Sequence, residues 1–156
     1  MATAQPVAVT PRKRPSAPTE IPAWKKAGNT DKWTEILFRA LTAKVAKRWK
    51  FVSFRGAGGG EWCGVVDVLA IRRDTSRSHH RVFKSGDLFE IVLVQMKGGS
   101  ARSPSAADVH RLRAVKKRYR AEAIVLFAWK NGVSSHFSTL GRGTGWIRSS
   151  AKEIFG

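Results

Sequence analysis

The sequence predicts an α/β fold, a mixed central sheet of about four to five strands flanked by helices in the order α-β-β-β-α-β. Three observations predict it. Two apolar, β-branched runs, residues 64–71 and 88–97, read as strands. A periodic segment opened by Ser105 and Asp108, three residues apart, reads as a helix with a capping box. A third apolar run, residues 123–129, follows it. Strand, helix and strand in succession form a crossover unit, which should pair its strands in parallel.

In chain order, residues 1–29 come first. Four of the six prolines, Pro6, Pro11, Pro15 and Pro18, fall here beside Arg12, Lys13 and Arg14. This composition predicts a disordered basic arm that can add phosphate contacts, with a solubilising tail as the plainer alternative. Thr30 or Asp31 can cap a helix running to about Lys50, with Leu37, Phe38, Leu41, Val45 and Trp49 as its apolar stripe. Glu35 is the sole acid between Lys32 and Lys50. It can pair with Arg39 one turn on, or reach a site on the sheet. Residues 51–55 suggest a short strand. The glycine run at 56–60 is followed by a β-branched run, without a helix or a Walker lysine, so it reads as a turn.

The strand at residues 64–71 surrounds Asp67 with Val65, Val66, Val68 and Leu69. A carboxylate among such neighbours is costly unless paired or metal-bound, and a strand-end aspartate facing water is the alternative. Residues 72–87 are polar and read as a long hairpin connection. His79 and His80 are adjacent within it, so they would face opposite ways and chelate one ion poorly. Residues 88–97 are apolar on both faces, as in a central strand. They carry Gln95 and Lys97 on one face and Glu90 on the other. If the two runs pair, Asp67, Gln95 and Lys97 meet at one point. That is the smallest set able to hold a divalent cation beside a phosphate and a water.

In the second helix Val109, Leu112, Val115 and Tyr119 should face the core. Arg111, Arg113, Lys116 and Lys117 cover the rest, as a solvated face or, better matched to the total charge, a backbone-contact surface. Asn131-Gly132 turns the chain, residues 133–140 suggest an edge strand, and 141–145 read as loose. Ser150 with Glu153 can cap a last helical turn. The folded domain is expected over 30–140, with 141–156 as a C-terminal extension.

Charge selects the partner. Lys and Arg number 29 against 11 Asp and Glu, a formal +18. Residues 1–30 carry +4 of it, so the remaining chain carries +14. Such a field favours nucleic acid, because neutralising phosphates releases counterions. A membrane surface ranks below it, since no strongly apolar helix with a basic face stands out. The single cysteine, Cys63, excludes an intrachain disulfide and a Cys-based zinc site and reads as a small core side chain. A reducing, cytoplasmic location in association with nucleic acid is the expectation, with no secretory signal and no membrane-spanning run.

With Glu35 on the first helix, Gly64-Val65-Val66-Asp67-Val68-Leu69-Ala70-Ile71, and Val94-Gln95-Met96-Lys97 ahead of a capped helix and strand, the chain resembles the PD-(D/E)xK nuclease superfamily. The spacing around Asp67 is most similar to that of archaeal Holliday-junction resolvases and related small nucleases. The resemblance covers roughly residues 30–130 and implies a restriction-endonuclease-like core. It implies Asp67 and Gln95 as ligands of Mg²⁺, or of Mn²⁺ as a substitute. It further implies Lys97 as the residue that orients water, Glu35 as a supporting acid, and a homodimer as the assembly. Two positions depart from the family pattern. Val66 stands where proline is common. Gln95 stands where a carboxylate is usual, supplying an oxygen but no charge.

The function expected is a Mg²⁺-dependent endonuclease hydrolysing phosphodiester bonds in DNA, including structured or branched DNA. The alternative is a catalytically degenerate nuclease-fold module that binds DNA or RNA without cleavage. A ribosome-associated RNA-binding protein fits the charge but does not require the placement of Asp67, Gln95 and Lys97.

Overall fold

The computed structural model describes residues 23–54, 64–75, 82–130, 133–143 and 145–156. The basic arm up to residue 22, with Arg12, Lys13 and Arg14, lies outside them. So do the glycine run, Cys63, His79, His80 and the Asn131-Gly132 turn.

The described elements are α1 (Ala23–Thr42), β1 (Lys50–Ser53), β2 (Val68–Arg73), β3 (Phe89–Gly98), α2 (Ala106–Tyr119), β4 (Ala123–Lys130), β5 (Val133–Leu140), β6 (Trp146–Ser149) and α3 (Ala151–Phe155). The strands form one six-stranded sheet in sequence order. Every neighbouring pair is antiparallel except β3 and β4, which are parallel. The exception follows from α2: a helical crossover returns the chain to the starting end of the sheet, whereas a tight turn reverses it.

Strand alternation divides the core in two. On one face Val92, Val94 and Met96 of β3 pack with Phe38 of α1 and Phe155 of α3. Phe38 is fully buried, its ring centroid 5.1 Å from that of Phe51 and 5.6 Å from that of Phe127. On the other face Leu93 and Ile124 pack with Leu112 of α2. Val109 and Leu112 are buried as periodicity predicts, Val115 is half-buried, and Tyr119 at the helix end is exposed.

Five expectations are corrected. The sheet has six strands, not four or five. The extra one, β6, has only four residues, too short for a period to be read. It pairs with β5, so the strand expected at the edge is interior. Residues 141–156 join the sheet and the core through β6 and through Phe155.

The first helix begins at Ala23, ahead of the expected cap, and ends at Thr42. The buried Thr42 hydroxyl donates to Phe38 O at 2.9 Å, and the chain then turns. Ending the helix there brings Trp49 under α3, where its Nε1 donates to Phe155 O at 3.0 Å. Lastly, β2 starts only at Val68, so Asp67 stands just ahead of the strand rather than within it.

Candidate active site

Asp67 stands where the β2–β3 ladder ends. The last register pair is Val68 with Val94. Beyond it the backbone continues irregularly: Asp67 N donates to Val94 O at 2.9 Å, and Phe54 N donates to Asp67 O at 3.0 Å. The next β3 amide, that of Met96, has no β2 carbonyl in register. It donates instead to Asp67 Oδ2 at 2.6 Å. The carboxylate thus substitutes for a ladder acceptor, and this bond fixes it against the backbone of residues 95–97. A charged acceptor makes such a bond short and strong.

Gln95 is 4% exposed. Its Oε1 is buried with no hydrogen-bond partner among the described residues. Leaving a buried carbonyl oxygen without a donor costs roughly 1–3 kcal/mol. An oxygen of this kind next to a carboxylate-bearing segment suits a hard cation. Lys97 lies two residues on, on the same face of β3, and is half-buried. Asp67 and the backbone at Gln95 and Lys97 are therefore brought together.

Glu35 reaches the strand beside β2. It pairs with Arg39 at 2.9 Å, and its Oε2 accepts from Ser53 Oγ at 3.2 Å. The second contact ties α1 to β1, the neighbour of β2. No group of three or more His, Cys, Asp or Glu that could hold a metal occurs among the described residues. An ion here would depend on Asp67 and the neutral oxygen of Gln95. Mg²⁺ tolerates so few protein ligands, since it commonly keeps several waters and takes the rest of its shell from substrate phosphates.

Close packing positions these elements. A Cβ at Gly98 would stand 2.0 Å from Thr34 Oγ1, so α1 crosses the end of β3 where there is no side chain. Thr34 is buried there, and its hydroxyl donates to Thr30 O at 2.7 Å. Gly99, at φ +62, then turns the chain toward α2.

The basic residues predicted on α2 divide. Arg111 and Lys117 are exposed. Arg113 donates to Gly141 O at 2.6 Å and also to Gly143 O, and Lys116 donates to Glu122 O at 2.6 Å. The last two therefore clamp neighbouring loops of the protein itself. Glu90 is paired with Arg72 at 2.6 Å at the opposite end of β3.

Arg102, Lys130 and His136, which composition alone did not single out, border the Lys97 side of the site. The signal for them is register, which a single sequence does not display. The α2 capping box is present as expected. Ser105 N donates to Asp108 Oδ2 at 3.0 Å, and Asp108 N donates to Ser105 Oγ at 3.2 Å. The Ser105 N–H and the Ser105 hydroxyl, which donates to Asp108 Oδ2 at 2.8 Å, hold the Asp108 carboxyl below its ordinary pKa, with Lys97 and Arg111 adding to this.

No protein-family model and no curated protein sequence matches the chain. Among solved structures it is similar to Hjc, a Holliday junction resolvase from the archaeal hyperthermophile Archaeoglobus fulgidus. The identity is 14%, covering 80% of this chain and 99% of that one, with a TM-score of 0.47.

Proposed function

We propose that this protein is a metal-dependent nuclease that hydrolyses phosphodiester bonds in DNA, including structured or branched DNA. The observation that carries the proposal is the partnerless buried Oε1 of Gln95, one residue from the Met96 amide that binds the Asp67 carboxylate, with Lys97 on the same face of β3. A purely structural glutamine at 4% exposure would be expected to find a donor.

Asp67 and Gln95 would hold Mg²⁺ or Mn²⁺. When bound, such an ion supplies a Lewis acid for the phosphoryl oxygen and lowers the pKa of water. Asp67 contributes the negative charge that retains a cation, and the Met96 amide orients its carboxylate. Lys97 contributes a positive charge on the same face as Gln95, suited to holding the attacking water or stabilising charge that develops on the phosphate. The +18 charge draws the polyanion in without reading its sequence.

A nuclease-fold module that binds without cutting is the second reading. It is favoured by one observation: both carboxylate oxygens of Glu35 already have partners, Oε1 in Arg39 and Oε2 in Ser53.

One pair of variants decides between them. Asp67→Asn keeps an oxygen to accept the Met96 amide and removes only the charge. It should reduce Mg²⁺-dependent cleavage of plasmid or branched DNA by roughly 10³-fold or more while DNA binding stays near that of the parent. Lys97→Ala should lower cleavage by about 10²–10³-fold. Cleavage that survives Asp67→Asn, or persists in chelator, would sink the metal-dependent reading. A parent protein that binds DNA but never cuts it supports the second.

A further inference from the structure

A groove leads from Lys97 across the same face of the sheet. Lys97 of β3 is in register with Ala128 of β4, and Ala128 with His136 of β5. Residues in register on neighbouring strands point to the same side, so the row reads long, small, long. The small methyl of Ala128 leaves a gap between the two longer side chains. The result is a concavity of about 350 Å³. Arg102, from the loop ahead of α2, and Lys130, at the end of β4, extend its rim, and Ser134 adds a hydroxyl. No acidic side chain lines it among the described residues. Neighbouring strands lie about 4.8 Å apart, so the backbones of Lys97 and His136 are about 10 Å apart. The concavity opens at the carboxyl ends of the parallel pair β3 and β4, the end of an α/β sheet where ligands are commonly bound.

We propose that this groove binds a second phosphodiester of the same nucleic-acid strand, beside the one to be cut, through Arg102, Lys130 and His136. Cations gathered in a concavity without an acid repel one another, and a bound anion relieves that repulsion. The hydroxyl of Ser134 can donate to a phosphate oxygen, and the apolar floor at Ala128 leaves room for the sugar. Lys97 belongs to both places, so the groove sets the path of the strand: from Asp67 across β4 to β5. The proposal rests on the reading of residues 67, 95 and 97 given above.

The test is fluorescence anisotropy of a labelled DNA oligonucleotide with the full chain in chelator over a salt series. Three proteins are compared: the parent, the Arg102→Ala/Lys130→Ala pair, and a charge-matched Lys44→Ala/Lys47→Ala pair on the exposed turn after α1. Circular dichroism confirms that all three fold. The groove pair should weaken binding tenfold or more at moderate salt. It should also reduce the slope of log K against log[salt] by close to one, since the groove holds one phosphate and the slope is about 0.9 per phosphate contact on duplex. The charge-matched pair should change the slope by well under one. Equal effects from both pairs, an unchanged slope in the groove pair, or no binding by the parent would overturn the groove. Cleavage plays no part in this measurement. An inactive parent that still shows the selective loss therefore refutes the nuclease and leaves the groove standing.

Discussion

An oxygen buried without a donor, like Oε1 of Gln95, makes a prediction that does not depend on turnover. Gln95→Glu puts a carboxylate in the same place. Without a cation that charge is desolvated, and stability should fall by roughly 2–4 kcal/mol in chelator. Mg²⁺ should restore part of it, because an ion that binds only the folded state stabilises in proportion to RT ln(1 + [L]/Kd). Thermal melts with and without Mg²⁺ measure both terms. A variant whose melting ignores Mg²⁺ argues against a cation at this oxygen. At this scale the sequence displays Asp67 among valines, and burial physics alone marks it. It does not display the Met96 amide that holds the carboxylate, because that bond spans 29 residues and depends on where the β2–β3 ladder stops.

Between elements, one glycine decides how α1 meets the sheet. Gly98→Ala would drive a methyl into Thr34 Oγ1, which is buried and held by Thr30 O. The expected cost is about 1–3 kcal/mol, as for overpacking a core. Thr34→Ala in the same chain should recover a part of it, and denaturant unfolding of the two singles and the double measures the coupling. Full additivity would mean that the contact does not bear on stability.

The α2 cap gives a pH prediction. Asp108 has its pKa lowered from 3.8, first by the Ser105 backbone N–H, then by the Ser105 hydroxyl, with Lys97 and Arg111 adding to this against the opposing effect of burial. A depressed folded-state value means the contribution is complete above the ordinary carboxylate value and is lost as pH falls through the folded one. The protection factors of the first-turn amides of α2, referenced to the intrinsic exchange rate at each pH, should therefore fall below about pH 4. In Ser105→Ala those factors should be low throughout, with little further change at acid pH. Both capping boxes are legible in the sequence because their partners are three residues apart. The bounds of α1 are not, since Thr34 is buried against a glycine 64 positions away.

For the molecule as a whole, the ring cluster around Phe38 joins α1, β1, β4, β5 and α3. Phe38→Ala should cost about 3–5 kcal/mol in denaturant unfolding, since several rings would border the cavity. A loss below about 1 kcal/mol would mean the cluster collapses around the gap or contributes little to the fold. Met96 packs with this cluster, and Gln95 and Lys97 alternate with it on the opposite face of β3, so the surviving folded fraction should keep the parent's affinity for DNA. A Phe38→Ala protein that folds but binds poorly would show that the aromatic core shapes the binding face as well.

Hydrophobic period and capping residues are local, and they were enough by themselves to determine the α/β class, the crossover and both capped helices. Their cause acts within a few residues, so it can be read along a line. Tertiary structure alone decided that six strands form one sheet, that Glu35 turns to Arg39 and Ser53, and that Lys97, Ala128 and His136 share a row. Those outcomes depend on which backbone amide lacks a partner and which small side chain leaves room. Both are properties of segments that become neighbours only when the chain closes on itself.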